Sequence, residues 1–265
     1  MNVEGRTAIV TGAAGGIGRA IALRLGAEGA KVAAVDLDGE GAQATAAQLG
    51  GGALGIGADV ADEAALAALI AQTEAALGPV DLFFANAGVG AGLGLDSSEA
   101  EWHLSLEVNV MAHVRAARLL VPGWVERGEG YFVSTASAAG LLTQIGSVPY
   151  SVTKHAAVAF AEWLSITYGD DGVRVSCLCP MGVNTNMLNA GIDADDDAQQ
   201  MGARVVTHAG DVLEPEDVAN VVLEAVGDER FLILPHPEVL EFYARKGRDY
   251  DRWLRGMRRL QAAVA

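Results

Sequence analysis

The chain has 265 residues, which suits one large α/β domain or two small ones and is long enough to bury a substantial core. A formal net charge of −16 argues against nucleic acid or an anionic membrane surface as partner of the protein body. Hydrophobic residues make up 51%, but charged residues punctuate them, and no apolar run reaches the roughly 18 residues that suggest a membrane span.

In chain order, MNVEGRTAIVTG lacks a basic region followed by an apolar stretch and a cleavage site. It reads as a first strand, 6–11, and not as a signal peptide. TGAAGGIG (11–18) follows, and a helix begins at Ile17. A glycine-rich turn opening a helix lets backbone approach a pyrophosphate, and the helix N-terminus offers free N–H groups. The spacing is T-G-x-x-x-G-x-G, carried by Gly12, Gly16, Ile17 and Gly18, and not the strict G-x-G-x-x-G. The second strand, KVAAVD (31–36), ends on Asp36, 20 residues beyond Gly16. A carboxylate there can accept from the adenosine ribose hydroxyls, although Leu37-Asp38-Gly39 would also suit a turn-initiating Asp.

Further strands are expected at 53–57, 80–85, 131–136, 173–178 and 231–235, with helices at 62–77, roughly 99–121 and roughly 150–168. Several strands are apolar throughout, as in a sheet covered on both faces. The β-α-β rhythm implies a Rossmann-type, doubly wound parallel sheet of about seven strands in a three-layer α/β/α domain covering 1–265. Cys177 and Cys179 lie in an expected buried strand. A C-x-C pair is too short for ordinary disulfide geometry and too few for zinc, so packing in a reducing cytoplasm is expected. The least regular segment, 184–215, follows a strand and reads as a substrate lid, or else as a solvated, partly helical insertion.

YSVTK sets Tyr150 four residues before Lys154 on a helix, so both lie on one face. Free tyrosine has a pKa of about 10 and is a poor base near neutrality. Bringing it near 7 takes about 4 kcal/mol of preferential phenolate stabilisation, which a neighbouring ammonium can supply in large part. The pair thus suits proton transfer, and is otherwise an accident of the helix surface.

Taken together, T-G-x-x-x-G-x-G, an N-A-G triplet, a Ser 13 residues before a Tyr, and Y-x-x-x-K resemble the short-chain dehydrogenase/reductase family over about residues 5–235. The resemblance implies that Asp59 and Val60 hold the adenine edge and that Asn86, Ala87 and Gly88 pass along the cofactor. It implies that Asn109 positions a water behind the lysine and that Ser137 orients the substrate, completing a tetrad with Tyr150 and Lys154. Lys154 would also touch the nicotinamide ribose. Where the family has P-G-x-V-x-T this chain has P-M-G-V-N-T (180–185). Met181 replaces a glycine, which implies a less free backbone, while Val183 and Thr185 fall where the nicotinamide amide would be held.

The expected activity is hydride transfer between NAD(H) and a secondary alcohol or ketone. Asp36, and the lack of Lys or Arg at 12–18 and 33–40, favour NAD over NADP. Val89, Leu93, Leu141, Gln144, Met181, Met187 and Leu188 are candidate pocket walls, mostly apolar. Alternatives are a non-catalytic dinucleotide sensor on the same fold, and a sugar-nucleotide epimerase or dehydratase, whose usual T-G-x-x-G-x-x-G and longer substrate domain are not seen. Five histidines (His103, His113, His155, His208, His236) show no ligand spacing and read as non-catalytic. DADDD (193–197) reads as a solvated acidic loop, and no metal is expected.

The tail, 237–262, holds seven of the 18 basic residues and an expected helical stripe of Tyr243, Tyr250, Trp253, Met257 and Leu260, with a break at Gly247. A helix packed on the acidic body of its own or a partner subunit is more economical than a membrane-surface helix. The resemblance implies a homo-oligomer, dimer or tetramer.

Overall fold

The computed structural model describes residues 1–50, 52–194 and 197–264. Its strands are β1 (Thr7–Thr11), β2 (Lys31–Asp36), β3 (Leu54–Gly57), β4 (Val80–Ala85), β5 (Gly130–Thr135), β6 (Val173–Leu178) and β7 (Leu232–Ile233). They form one sheet in the order 3-2-1-4-5-6-7, with every pairing parallel. The helices are α1 (Gly16–Ala27), α2 (Gly39–Leu49), α3 (Glu63–Leu77), α4 (Glu99–Leu106), α5 (Ala112–Arg127), α6 (Ala139–Leu142), α7 (Val148–Tyr168), α8 (Asn186–Ile192), α9 (Asp197–Ala209), α10 (Pro215–Gly227), α11 (Glu238–Arg248) and α12 (Tyr250–Val264).

Side-chain alternation along the strands builds a core on each face. Ile9, Val35, Phe83, Phe132 and Val175 point to one side and pack with α3, α5 and α7. Val10, Ala34, Leu82, Phe84 and Val133 point to the other and pack with α1 and α10. This two-sided cover is why the strands are apolar throughout. Trp124, 1% exposed, closes the bottom of the first core and donates Nε1–H to Val80 O at 2.8 Å. No described helix is long and apolar enough to cross a membrane.

Several expectations need correction or completion. Residues 39–49, outside the expected helices, form α2, capped by Asp38 accepting from Gly41 N at 3.0 Å. The long helix expected at 99–121 is α4 and α5 joined by a π-helical turn, Glu107–Met111, that carries Asn109. The last strand is two residues and not five, because the chain turns away at Pro235. Segment 184–215 is partly helical, holding α8 and α9. Asp195 and Asp196 of the acidic loop lie outside the described residues.

The tail breaks at Asp249 and not at Gly247, where Asp249 Oδ1 accepts from Arg252 N at 2.9 Å. Its stripe is also shifted. Tyr243 and Tyr250 are exposed, whereas Trp253 packs against the core and Met257 and Leu260 are half-buried.

Candidate active site

β1 pairs with β2 on one side and with β4 on the other. The loops leaving β1 and β4 therefore diverge and open a crevice beyond the strand ends, the place where open α/β sheets bind ligands. Thr11, at the end of β1, holds this crevice together. Its Oγ1 donates to Phe84 O (3.1 Å) and accepts from the N–H groups of Asn86 and Ala87 (3.0 Å each). Asn86 Nδ2 donates back to Thr11 O at 3.0 Å. The Asn86-Ala87-Gly88 triplet is thereby pinned to the glycine-rich turn.

Within the turn, Gly12 has φ +68° and Gly16 φ +51°. A Cβ on Gly18 would stand 2.1 Å from Gly12 O, so α1 can start this close to β1 only through glycine. The N-cap of α1 is Gly15, and no side chain caps the helix. The first-turn N–H groups, at Gly16, Ile17 and Gly18, are left for another acceptor. This donor set fits a pyrophosphate.

Asp36 sits at the rim. Its Oδ2 accepts from Ala14 N (2.9 Å) and its Oδ1 from Asp38 N (3.0 Å). Each oxygen keeps a lone pair for a ribose hydroxyl. Arg19 Nη2 donates to Gln48 Oε1 on α2 at 2.9 Å. On the same rim Asp59 is exposed and Oδ1 accepts from Ala61 N at 2.9 Å, while Val60 is buried against Val108 and Ala112.

Asn109 and Lys154 converge beside Gly88, whose added Cβ would lie 3.2 Å from Asn109 Oδ1 and 3.3 Å from Lys154 Nζ. Asn109 is fully buried. Its Oδ1 accepts from Val89 N, and its Nδ2 donates to Val89 O (2.9 Å each) and to Thr153 Oγ1 (3.1 Å). Lys154 is 3% exposed and donates Nζ–H to Thr135 O at 2.9 Å. Burial lowers its pKa to about 8, with Cys177 and Cys179 pulling the other way. Lys154 Nζ lies 5.6 Å from the Tyr150 ring centroid.

The expected depression of the Tyr150 pKa is not produced by the protein alone. Burial pushes the phenol above its usual value, and the facing Ser137 hydroxyl only partly opposes it. Ser137 Oγ accepts from Ala139 N at 3.1 Å and donates to Pro180 O at 3.4 Å, so it also caps the turn into α6.

Across the crevice, Val183 bridges to Leu213, and Thr185 Oγ1 accepts from Leu188 N (3.4 Å) to cap α8. A Cβ on Gly16 would lie 3.1 Å from Thr185 Cγ2. Met181 is not among the positive-φ residues, so the replaced glycine carries no backbone strain. The cleft between these walls has a volume of about 410 Å³. Leu93, Gln144, Met181, Met187 and Leu188 line it as expected, with Ser137 and Tyr150 on its floor. Leu141 does not, being 4% exposed in the core, and Val89 packs instead against Val60, Val108 and Ala112. Glu101 is the one described carboxylate in the lining. It is held in a capping box with Ser98, whose bonds keep its carboxyl ionised below the usual range.

Thr11, Thr135, Thr153 and Glu101 were not singled out from the sequence. Thr135 and Thr153 act through contacts that no residue pattern signals, whereas Thr11 opens T-G-x-x-x-G-x-G and Glu101 stands at the capping-box spacing from Ser98. The cysteines are free and buried. His113 is buried with Nδ1 3.0 Å from Ser134 Oγ, and burial lowers its pKa to about 3. Among the described residues no group of His, Cys, Asp and Glu could hold a metal ion.

The chain matches the short chain dehydrogenase family model over residues 6–196. It is 35% identical over 250 residues to 1-deoxy-11-beta-hydroxypentalenate dehydrogenase of Streptomyces exfoliatus, covering 90% of this chain and 86% of that one. It is 39% identical over 197 residues to 2,5-dichloro-2,5-cyclohexadiene-1,4-diol dehydrogenase of Sphingobium indicum, covering 73% and 79%. Among solved structures, a short chain dehydrogenase/reductase from Burkholderia phymatum in complex with NAD superposes with a TM-score of 0.84 at 32% identity, covering 95% of this chain and 96% of that one. A seven-stranded parallel sheet, a glycine turn opening α1 and a Ser137–Tyr150–Lys154 cluster at the strand ends thus meet in one molecule, and the chain belongs to the short-chain dehydrogenase/reductase family.

Proposed function

We propose that the protein is an NAD-dependent oxidoreductase of apolar secondary alcohols or ketones, with Ser137, Tyr150, Lys154 and Asn109 as its catalytic group. The observation that carries this reading is the buried Lys154 ammonium beside Tyr150 at the floor of a largely apolar cleft. Gly12, Gly16, Ile17 and Gly18 would hold the pyrophosphate, Asp36 the ribose, Asp59 and Val60 the adenine, Asn86–Gly88 the central backbone, and Val183 and Thr185 the nicotinamide amide. Bound NAD(H) would supply the hydride acceptor or donor and, when oxidised, a positive charge beside the phenol.

In the oxidation direction Tyr150 Oη takes the substrate hydroxyl proton while the carbinol C–H bond gives up its electron pair with the hydride. In reduction Tyr150 returns that proton to the carbonyl oxygen. Ser137 Oγ hydrogen-bonds the same oxygen and fixes its place. Lys154 favours the phenolate by its charge and is itself held by Thr135 O. Asn109 fixes Val89 and Thr153 around this group.

The Met- and Leu-lined walls suit an apolar substrate, and Glu101 makes the mouth unfavourable to a phosphorylated sugar. The two relatives' names both denote dehydrogenases of hydroxylated compounds. Segment 184–215 serves as the lid, and 237–262 as a helical extension of a single catalytic domain. A homo-oligomer is supported by the exposed Leu119, Val152, Trp163 and Ile166 on α5 and α7. The two free, buried cysteines fit a reducing cytoplasm.

A screen of secondary alcohols for NADH formation tests the reaction class. With a substrate in hand, Tyr150→Phe should lower kcat by more than about 100-fold while leaving NAD binding nearly intact. Retention of more than about a tenth of kcat would refute the proton-transfer role.

Cofactor choice follows from Asp36. A 2′-phosphate would meet its carboxylate and lose the ribose hydrogen bonds. NAD should therefore be preferred by about 30- to 1,000-fold in kcat/KM, and Asp36→Ala should shrink that ratio. Equal or better kcat/KM with NADP in steady-state assays would overturn the assignment.

Lys154 should also mark the pH dependence of folding. Its pKa is about 8 when folded against 10.5 for an ordinary lysine. Between those values the unfolded chain binds more protons, so stability rises with pH there, and below about 8 the full cost of burying the charge stands. The wild type should gain about 3 kcal/mol relative to Lys154→Met from pH about 8 to about 10.5. A flat difference in denaturant melts across that window would contradict it.

A further inference from the structure

We propose that His236 is a positioning residue for the nicotinamide end of the cofactor: its imidazole replaces a strand carbonyl and fixes the loop 180–185. The inference rests on the reading that this loop holds the nicotinamide amide.

The parallel ladder between β6 and β7 advances two residues at a time. Cys177 N donates to Phe231 O at 2.6 Å, and Cys179 N to Ile233 O at 2.9 Å. The next donor is Met181 N, and the next acceptor in register would be the carbonyl of Pro235. The chain instead turns away through Pro235-His236-Pro237. Met181 N donates to His236 Nδ1 at 3.2 Å, so a side chain supplies the third rung.

Because Nδ1 accepts, the ring proton is on Nε2. Nε2 lies 3.0 Å from Gly182 O and 3.2 Å from Asp211 O and donates to both. His236 is only 2% exposed. One neutral ring therefore ties the loop at two consecutive residues, and ties it also to the chain leaving α9, the base of the candidate lid.

The far side of the loop has its own fastening. Leu213 N donates to Gly182 O at 2.9 Å, and Asn184 N to Leu213 O at 2.8 Å. That fastening fixes 182–184 to 213, and at the start of the loop Pro180 O accepts from Ala138 N at 2.8 Å and from Ser137 Oγ at 3.4 Å, so His236 is what holds the Met181 N–H between them. Without the ring, the loop keeps its fastenings at Pro180 and at 182–184, and Met181 between them loses its rung to the β7 side. The adenosine half of the cleft, at Gly12–Gly18 and Asp36, makes no hydrogen bond with His236, so only the nicotinamide half should be affected.

The test uses two probes that differ in one group. NAD and ADP-ribose share the adenosine and the pyrophosphate, and ADP-ribose lacks nicotinamide. Calorimetric titration of both into the wild type, His236→Phe, His236→Asn and His236→Gln separates local positioning from general damage. The wild type should bind NAD more tightly than ADP-ribose. His236→Phe keeps the ring volume and loses every bond, and should weaken NAD roughly tenfold with ADP-ribose almost unchanged. His236→Asn keeps an acceptor near the place of Nδ1 and should restore most of the preference.

If His236→Phe fails to fold, His236→Gln carries the test, since it keeps only the Nε2-side donor and should still lower the preference several-fold. Equal loss of both probes, or no loss of either, overturns the role of His236 while leaving the cofactor reading intact. A wild type that does not prefer NAD overturns the reading of the loop, and the proposal with it.

Discussion

An ammonium taken out of water has to be met by acceptors, and Lys154 meets its need with the Thr135 carbonyl at the end of β5. That bond fixes where the amine stands, and the i, i+4 geometry of α7 then fixes Tyr150 beside it. Everything around the pair serves to keep the charge dry and in place. Gly88 passes within reach because it has no side chain. Asn109 holds Val89 on one side and Thr153 on the other, from a π-helical turn that re-aims it within an otherwise α-helical segment. The same burial that makes the lysine effective lowers its pKa to about 8 and raises that of Tyr150. The protein alone therefore leaves the phenol protonated. On the proposed reading, the oxidised cofactor's charge completes the field that lets it ionise.

The sheet makes this possible by putting the divergence of two loops next to the pair. Thr11 closes β1 onto β4 with one hydroxyl and three hydrogen bonds, and the glycines at 12 and 18 let α1 begin against it. The result is a row of unused helix N–H groups on one side of the crevice and an acid–base pair on the other. Their separation is set by backbone, not by flexible side chains. The third wall, 180–185, is fastened differently, by Leu213 from beyond α9 and by a histidine from beyond β7.

Much of this was legible in the sequence because the signals are local. TGAAGGIG shows its own strand, turn and helix, Asp36 ends a run of apolar residues, and Tyr150 and Lys154 are one helical turn apart. What was hidden has physical reasons. GEGAQATAAQL carries Gly39 and Gly41 and few large apolar residues, so its helix has no visible stripe and depends on its Asp38 cap and on packing against β2 and β3. The π-helical turn leaves no trace in residue type. Leu141 and Val89 looked like pocket walls because they follow the right strands, but α6 turns the first into the core and Asn109 pins the second against Val60. His236 stands at no metal-ligand spacing, and its partners are backbone groups 55, 54 and 25 residues away.

The account stands on the claim that the Lys154 ammonium and the oxidised cofactor together govern whether Tyr150 is ionised. Ultraviolet titration in the tyrosinate band measures this directly, as the difference between the wild type and Tyr150→Phe with and without NAD. The account predicts that Tyr150 titrates above the ordinary tyrosine range in the protein alone and well below that position with NAD bound. A Tyr150 titration unmoved by saturating NAD would contradict it.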